Sequence, residues 1–512
     1  MDTKQMKRPD NQDVNLVLWP WIPVVAADGA RQLVSLQDLF STAHEIRDLS
    51  VKPHEKIALL RLLLCITQAA LDGPKDAIAW ERCQSLIQPK TKEYLDRWRA
   101  AFELFGDGPR FLQVPGLVST KKDGEGTAAT KLDLTLSTGN TASLFDNAAG
   151  ESRAVPPARL ALTLLTFQCF SPGGLIGVAK WNGSDTPGDG KSKHAPCTPS
   201  SMLHTYLQGD CLLDTLHLNL LPKDEVKSLI TGGWGKPVWE FPVSSAADKA
   251  ATTNATVTYL GRFVPLSRAI RLESDGRHIV LGNGLDYPLC PIYREPAATV
   301  ILRDDAPAVL GVSLGRSIWR QLSAIAVKRR AESDPLSGPR ALVNVPMDRR
   351  STLWIGALAT DKAKIEDVVE AVYDVPPNLF LEEGRKRYEA GVDLANQWQE
   401  ALSKCVKAYA AKMKLEPVPY DRARHFYWTA VEQHVPLLLK LAEESDVSGD
   451  LKQSLWGKAV RTAAEEAFGH ACPHQTPRQI EAFALGRGWL FLPKPEAEGG
   501  KPKKKTATKK RP

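Results

Sequence analysis

Cysteine is sparse in this 512-residue chain and never paired: eight residues are scattered at positions 65, 83, 169, 197, 211, 290, 405 and 472, with no Cys-x-x-Cys. That argues against a zinc ribbon and a disulfide framework, and suits a reducing cytoplasm. No run of about 18 uninterrupted apolar residues occurs, so no membrane span is expected. Met1 to Asn15 is polar and charged without an apolar centre, unlike a signal peptide. A Gly-x-Ser-x-Gly elbow and a His-Glu-x-x-His pair are also missing. Gly188-Asp189-Gly190-Lys191-Ser192 lacks the leading glycine of a phosphate-binding loop, because position 185 is Asp. His470-Ala471-Cys472-Pro473-His474 holds ligand-type residues, but Pro473 disrupts the helix that would align the histidines. It reads as a helix end, and neither a metal nor a cofactor is expected. Gly282-Asn283-Gly284 is no dinucleotide fingerprint; Asn-Gly there signals a hairpin.

The charge balance is equally uneven in what it omits. Lys501, Lys503, Lys504, Lys505, Lys509, Lys510 and Arg511 account for the whole net charge of +7. The body before them is neutral, so specific recognition of a polyanion must come from local placement of charge. Residues 494–512 read as a disordered Lys-rich tail that can neutralise phosphates in a salt-dependent way.

A chain of this length implies two or three domains. Val14 to Val24 reads as a short strand pair broken by proline, and Pro53 to Leu71 as a core helix apolar nearly all round. Glu93 to Phe105 is helical in pattern. Ser119 to Asn147 is a long polar loop closing on Leu144-Phe145-Asp146-Asn147. Ala158 to Phe170 is an apolar helix that Pro172 stops. Behind it, Gly173, Gly174 and Gly177 remove side chains where a partner must approach the main chain, and Lys180 and Trp181 add a cation and a flat ring. Thr198 to Leu221 has a helix start and apolar helical spacing. Val257 to Val264, His278 to Leu281 and Ala298 to Leu302 look like strands, and Ser313 to Ala331 like a helix. Leu353 to Ala357 and Ile365 to Tyr373 flank the polar tip Thr360-Asp361-Lys362-Ala363-Lys364. Beyond Pro376-Pro377, four apolar-striped segments follow: 381–415, 421–444, 448–471 and 477–490. The expected fold class is therefore α+β. A mixed domain, 1–377, precedes an antiparallel four-helix bundle, 378–493, and the basic tail, 494–512.

Several stretches, in order, resemble the large-subunit family (CasA, Cse-family) of type I-E CRISPR Cascade complexes. They are Trp21-Ile22-Pro23-Val24, Arg61-Leu62-Leu63-Leu64, Pro109 to Pro115, Leu144-Phe145-Asp146-Asn147, the glycine stretch, Thr360 to Lys364 and Arg424-His425-Phe426-Tyr427. The resemblance implies a non-enzyme that reads the protospacer-adjacent motif (PAM) of double-stranded DNA through the minor groove and starts strand separation. Its implied partners are the guide-RNA-bearing backbone, small and guide-end-capping subunits, and a nuclease-helicase recruited after target binding. Carried over, the glycine loop falls on Gly173, Gly174 and Gly177, with Lys180 beside it, and the motif-proximal loop on Phe145 and Asn147. The minor-groove finger falls on Arg277, where the best-known members have lysine, and the strand-opening wedge on Asp361 and Lys362, where glutamine is typical. Some relatives carry a cysteine-bound zinc before the finger; only Cys290 lies in that region here, and no zinc is expected. Two other classes stay open on the residues alone: a nucleotide- or metal-dependent enzyme using residues 188–192 or His470 and His474, and a scaffold binding nucleic acid nonspecifically through its tail.

Overall fold

The helix Pro53–Leu71 is buried continuously from His54 to Gln68. Its apolar residues leave no face for water, so other elements must cover it on every side. Pro53 occupies the first helical turn, where a missing N–H costs nothing, and the Glu55 carboxylate accepts from the Lys52 N–H at 3.1 Å. Asp72 (φ 48) and Gly73 (φ 60) turn left-handed and end it. The helices Gln84–Trp98 and Pro157–Phe170 and the strand Ser351–Asp361 pack against it. Arg61, in its middle, ion-pairs with Glu295 at 2.6 Å and donates to the carbonyls of Arg262 and Phe263, both at 2.7 Å. Burial pushes the Glu295 carboxyl up, yet Arg61 and Arg262 outweigh it and hold the group below the ordinary carboxylate range.

The computed structural model describes residues 14–120, 126–136, 152–171, 176–188, 201–288, 295–328, 336–361, 364–444 and 450–490. The chain forms two units, Met1–Leu381 and Glu382–Pro512. In the first, every strand pairing among the described residues is antiparallel. Ile22–Ala26 lies between Arg31–Val34 and Ile46–Leu49, and Val300–Arg303 pairs with Ala306–Val309. Ala179–Trp181 lies between Leu117–Ser119 and Ser184–Asp185. His278–Asn283 lies between Thr127–Ala128 and Arg268–Leu272, and Ser351–Asp361 between His204–Gln208 and Lys364–Val375.

Several local expectations give way to tertiary context. Within the stretch expected to be helical up to Leu221, His204–Gln208 is a strand and only Leu212–Leu218 is helix. Pairing of Tyr206 with Trp354, and burial of His204 through Leu207, override the helical spacing. Residues 257–264, expected as a strand, hold the end of the helix Lys249–Val257 and a 3-10 turn, Leu260–Arg262. Asp248 caps that helix by accepting from Ala251 N, and Gly261 lies too close to the Asn254 carbonyl for any side chain. In the described part of the stretch expected as helix over 313–331, Ile318–Gln321 is 3-10 and Leu322–Ile325 is α-helix, and the Val327 carbonyl accepts from Gly338 N at 2.7 Å. The expected strand pair at the start begins only at Ile22, and the helix expected from Glu93 runs Gln84–Trp98 before tightening to 3-10. Finally, Asn283 ends a strand; the hairpin turn is at Glu273–Arg277, where Gly276 takes φ 64.

Among its described residues the second unit consists of helices joined by turns, with no strand. Glu382–Met413 packs against Tyr420–Glu432, Val435–Glu443, Leu455–Ala471 and Pro477–Arg487. Gly391 allows close approach, since a β-carbon there would come within 2.3 Å of Leu438, and its carbonyl accepts from Trp456 Nε1 at 2.8 Å. Tyr427 donates to the Ala395 carbonyl and Tyr409 to that of Pro473. The segment expected as one helix over 421–444 is two. Pro436 cannot continue a helix, and the chain re-enters with it in the first turn.

Candidate nucleic-acid interface

Arg277 closes the hairpin between Arg268–Leu272 and His278–Asn283, and its side chain is exposed. Around it the backbone is held from three directions. Asp275 Oδ1 accepts from the N–H of Arg277 at 2.8 Å and of His278 at 3.0 Å. The Arg277 carbonyl accepts from Ala129 N at 2.7 Å, and the Gly276 carbonyl from Val155 N at 3.0 Å. His278 then reaches both ways, Nδ1 to Asp275 Oδ2 at 2.6 Å and Nε2 to Ser152 Oγ at 2.7 Å. Partial burial pushes the Asp275 carboxyl up, but the hydrogen bonds from Arg277 N–H and His278 prevail and keep it below its ordinary value. The result is a cation on a stiff mount: among the described residues the Arg277 guanidinium has no ion pair, while its main chain has no slack.

The foot of the same hairpin holds Ser171, just ahead of the glycine stretch. Arg268, buried, donates from Nε to Ser171 Oγ at 2.8 Å and from Nη1 to Asn283 Oδ1. Burial lowers its pKa to about 10, still charged at neutral pH. Ser171 follows the helix Pro157–Phe170, whose last ring packs edge-on against His204 at 5.7 Å. The chain is also pinned where it returns. Thr120 donates to the Val178 carbonyl, and Ala179 and Thr186 exchange hydrogen bonds of 3.0 and 2.8 Å. Lys180 points outward from the strand Ala179–Trp181 while Trp181 is buried. Gly177 is exposed with open space where a β-carbon would go. Gly177 and Lys180 therefore share one site, and Arg277 lies at the other end of the hairpin, about 20 Å away at ~3.3 Å per strand residue.

Asp361 lies on a different sheet. It is the last residue of the strand Ser351–Asp361 and pairs with Lys364. A bulge at Ala359/Thr360 bends the approach, and Thr360 N donates to Ser201 Oγ at 2.8 Å. Phe145, Asn147, Gly173, Gly174 and Lys362 lie outside the described residues, as do 189–192 of the rejected phosphate loop. His470 stacks on Phe426 and His474 lies against Phe483. No group of three or more potential metal ligands occurs among the described residues.

Sequence reading missed Ser152, Arg153, Asp275 and His278. Arg153, exposed, lies in the segment that the Ser152 and Val155 contacts fasten to the hairpin carrying Arg277. The one legible signal was Asp275-Gly276, a turn dipeptide, passed over in favour of Asn283-Gly284.

The family model "CRISPR-associated protein Cse1" matches residues 15–467. The CRISPR-associated protein CasA/Cse1 of Thermus thermophilus is 30% identical over 495 residues, 89% of this chain and 91% of that protein. The solved structure of Thermus thermophilus CasA (Cse1) superposes with a TM-score of 0.72 at 24% identity, covering 94% of this chain and 98% of that one. A chain from a structure described as a CRISPR RNA-guided surveillance complex gives 0.70 at 18% identity, covering 94% and 100%. These matches place the protein among the CRISPR-associated proteins. The chain belongs to the Cse1 family, also called CasA, of CRISPR large subunits.

Proposed function

We propose that this large subunit works, without catalysing a reaction, inside an RNA-guided type I-E Cascade complex, where it reads the protospacer-adjacent motif of duplex DNA through the minor groove. The observation that carries the reading is Arg277: exposed, unpaired among the described residues, and mounted on a turn whose backbone is tied down. The minor groove is about 6 Å wide and presents a degenerate pattern of acceptors. A narrow planar cation reads such a groove by width and potential as well as by hydrogen bonds. Relative to lysine, a guanidinium adds a planar fork of donors, which alters which steps it accepts. Gly173, Gly174 and Gly177 offer bare backbone to the same duplex, with Lys180 on a phosphate and Phe145 and Asn147 on the motif-proximal side. Asp361, the last residue of the strand Ser351–Asp361, and Lys362 after it open the first base pair. Guide-RNA pairing then supplies sequence specificity that protein contacts do not.

In this reading residues 1–377 form the DNA-facing domain, 378–493 an antiparallel four-helix bundle, and 494–512, outside the described residues, a basic tail. The bundle reading is supported by alternating contacts along Glu382–Met413: Gly391 meets Trp456 and Leu438, while Lys412 meets Glu481. The partners are the backbone, small and guide-end-capping subunits with their guide RNA, the target duplex, and the nuclease-helicase recruited once the target is bound. The compartment is the cytoplasm, in keeping with free thiols at Cys65, Cys83, Cys169, Cys211, Cys405 and Cys472. The test is binding by the reconstituted complex, with and without this subunit, to duplexes carrying a fixed target and a randomised flank. Selection of particular flanks only when the subunit is present supports the proposal; equal selection without it refutes it.

A further inference from the structure

We propose that His278, bridging Asp275 and Ser152, is a positioning residue that locks the hairpin tip so that Arg277 and Arg153 enter one nucleic-acid groove as a fixed pair. The proposal rests on the reading of Arg277 as a groove-reading cation. One imidazole joins two stretches 126 residues apart, at 2.6 Å to Asp275 and 2.7 Å to Ser152. Without it, the segment bearing Arg153 would be fastened to the hairpin by the Val155 N–H to Gly276 carbonyl bond, and the turn would lose its lateral brace. A long cation gains discrimination only if its entropy is removed before binding, because a freely rotating side chain adapts to every groove alike. Here the mount is ordered in the free protein, which leaves only the side-chain torsions of the two arginines to be fixed on contact.

The same three groups, in the same order, make the relay of serine hydrolases. Two observations assign them here to bracing. Asp275 spends its other oxygen on the backbone N–H groups of Arg277 and His278, which makes it a turn cap. The His278 and Asp275 side chains are 35% and 43% exposed, so the serine oxygen is not held in the water-excluded setting that nucleophilic catalysis uses.

The experiment uses the reconstituted complex and a duplex library randomised beside a fixed target, with the ratio of affinity for the best flank to the library mean as readout. Ser152→Val and Ser152→Thr are matched in shape and differ in the hydroxyl; His278→Phe removes both contacts, and Arg277→Ala is the control. Ser152→Val and His278→Phe are expected to lower the ratio about three- to tenfold, the worth of one or two hydrogen bonds. Ser152→Thr is expected to restore it, and the unfolding midpoint of the free subunit should fall only slightly in Ser152→Val and His278→Phe, because the lost hydrogen bonds are exposed. Full selection by Ser152→Val and His278→Phe, alongside its loss in Arg277→Ala, would overturn the brace and leave the role of Arg277 standing. Full selection by Arg277→Ala would overturn both. A lowered midpoint with equal loss for every flank would reduce His278 to a structural residue, and labelling of Ser152 by a fluorophosphonate would make the trio a nucleophilic relay; either overturns the proposal.

Discussion

Two sets of arginines in this protein are handled in opposite ways. Arg61, Arg262 and Arg268 are buried and committed: the first two to Glu295, the third to Ser171 and Asn283. Arg277 and Arg153 stand in solvent, the main chain around them is held by hydrogen bonds, and neither guanidinium has an ion pair among the described residues. The first set holds elements distant in sequence together, and its loss should unfold the chain. The second contributes nothing evident to the fold, and its loss should leave the fold intact while changing what the protein recognises.

The largest expected effect falls on the buried set. Glu295→Ala leaves Arg61 and Arg262 as uncompensated buried cations and should cost about 3–5 kcal/mol in denaturant unfolding. A loss below about 1 kcal/mol would show that water reaches the cluster, and the contrast would fail. Acid should attack the same core. Burial lowers the pKa of His54 and of His204 to about 4, so both are neutral in the fold at pH 7. Because the folded values lie below the unfolded value of about 6.5, the unfolded chain binds more protons between them. Stability is therefore full above pH 6.5 and falls as pH drops toward 4, by about 2 kcal/mol per histidine at pH 5. His204→Asn should flatten that slope measurably in unfolding experiments between pH 7 and 5.

Smaller effects should appear on the exposed side. Removing residues 499–512 deletes the seven cations from Lys501 to Arg511 and should weaken duplex binding at low salt for every flank alike. The salt slope should drop by about 0.9 for each phosphate the tail had neutralised, with flank preference preserved. Loss of preference would shift recognition to the tail. Smallest of all in stability, Gly177→Ala meets open space and should change unfolding by less than about 0.5 kcal/mol. Binding by the assembled complex should nonetheless fall if bare backbone there faces DNA.

The same contrast explains what could be read from the residues. Pro53–Leu71 and Pro157–Phe170 are legible because an all-round apolar helix announces itself locally. The Ser351–Val375 hairpin is legible from its alternating flanks and polar tip. His204–Gln208 was hidden because its strand character comes from Trp354 and its neighbours, about 150 positions on. The brace at the Arg277 tip was hidden for the same reason: nothing near Ser152 announces His278. Arg277 itself was placed by family resemblance, and its mount became visible only in three dimensions.

The most direct measurement is flank selection by the reconstituted complex carrying Arg277→Ala, set beside the unfolding curve of the same variant. Unchanged stability, within about 0.5 kcal/mol, with selection reduced about 5- to 150-fold is the expected result, since one good groove contact is worth about 1–3 kcal/mol. Retained selection would contradict the assignment of this hairpin as the motif reader. Lost stability would contradict the division between arginines that build the fold and arginines left to recognise.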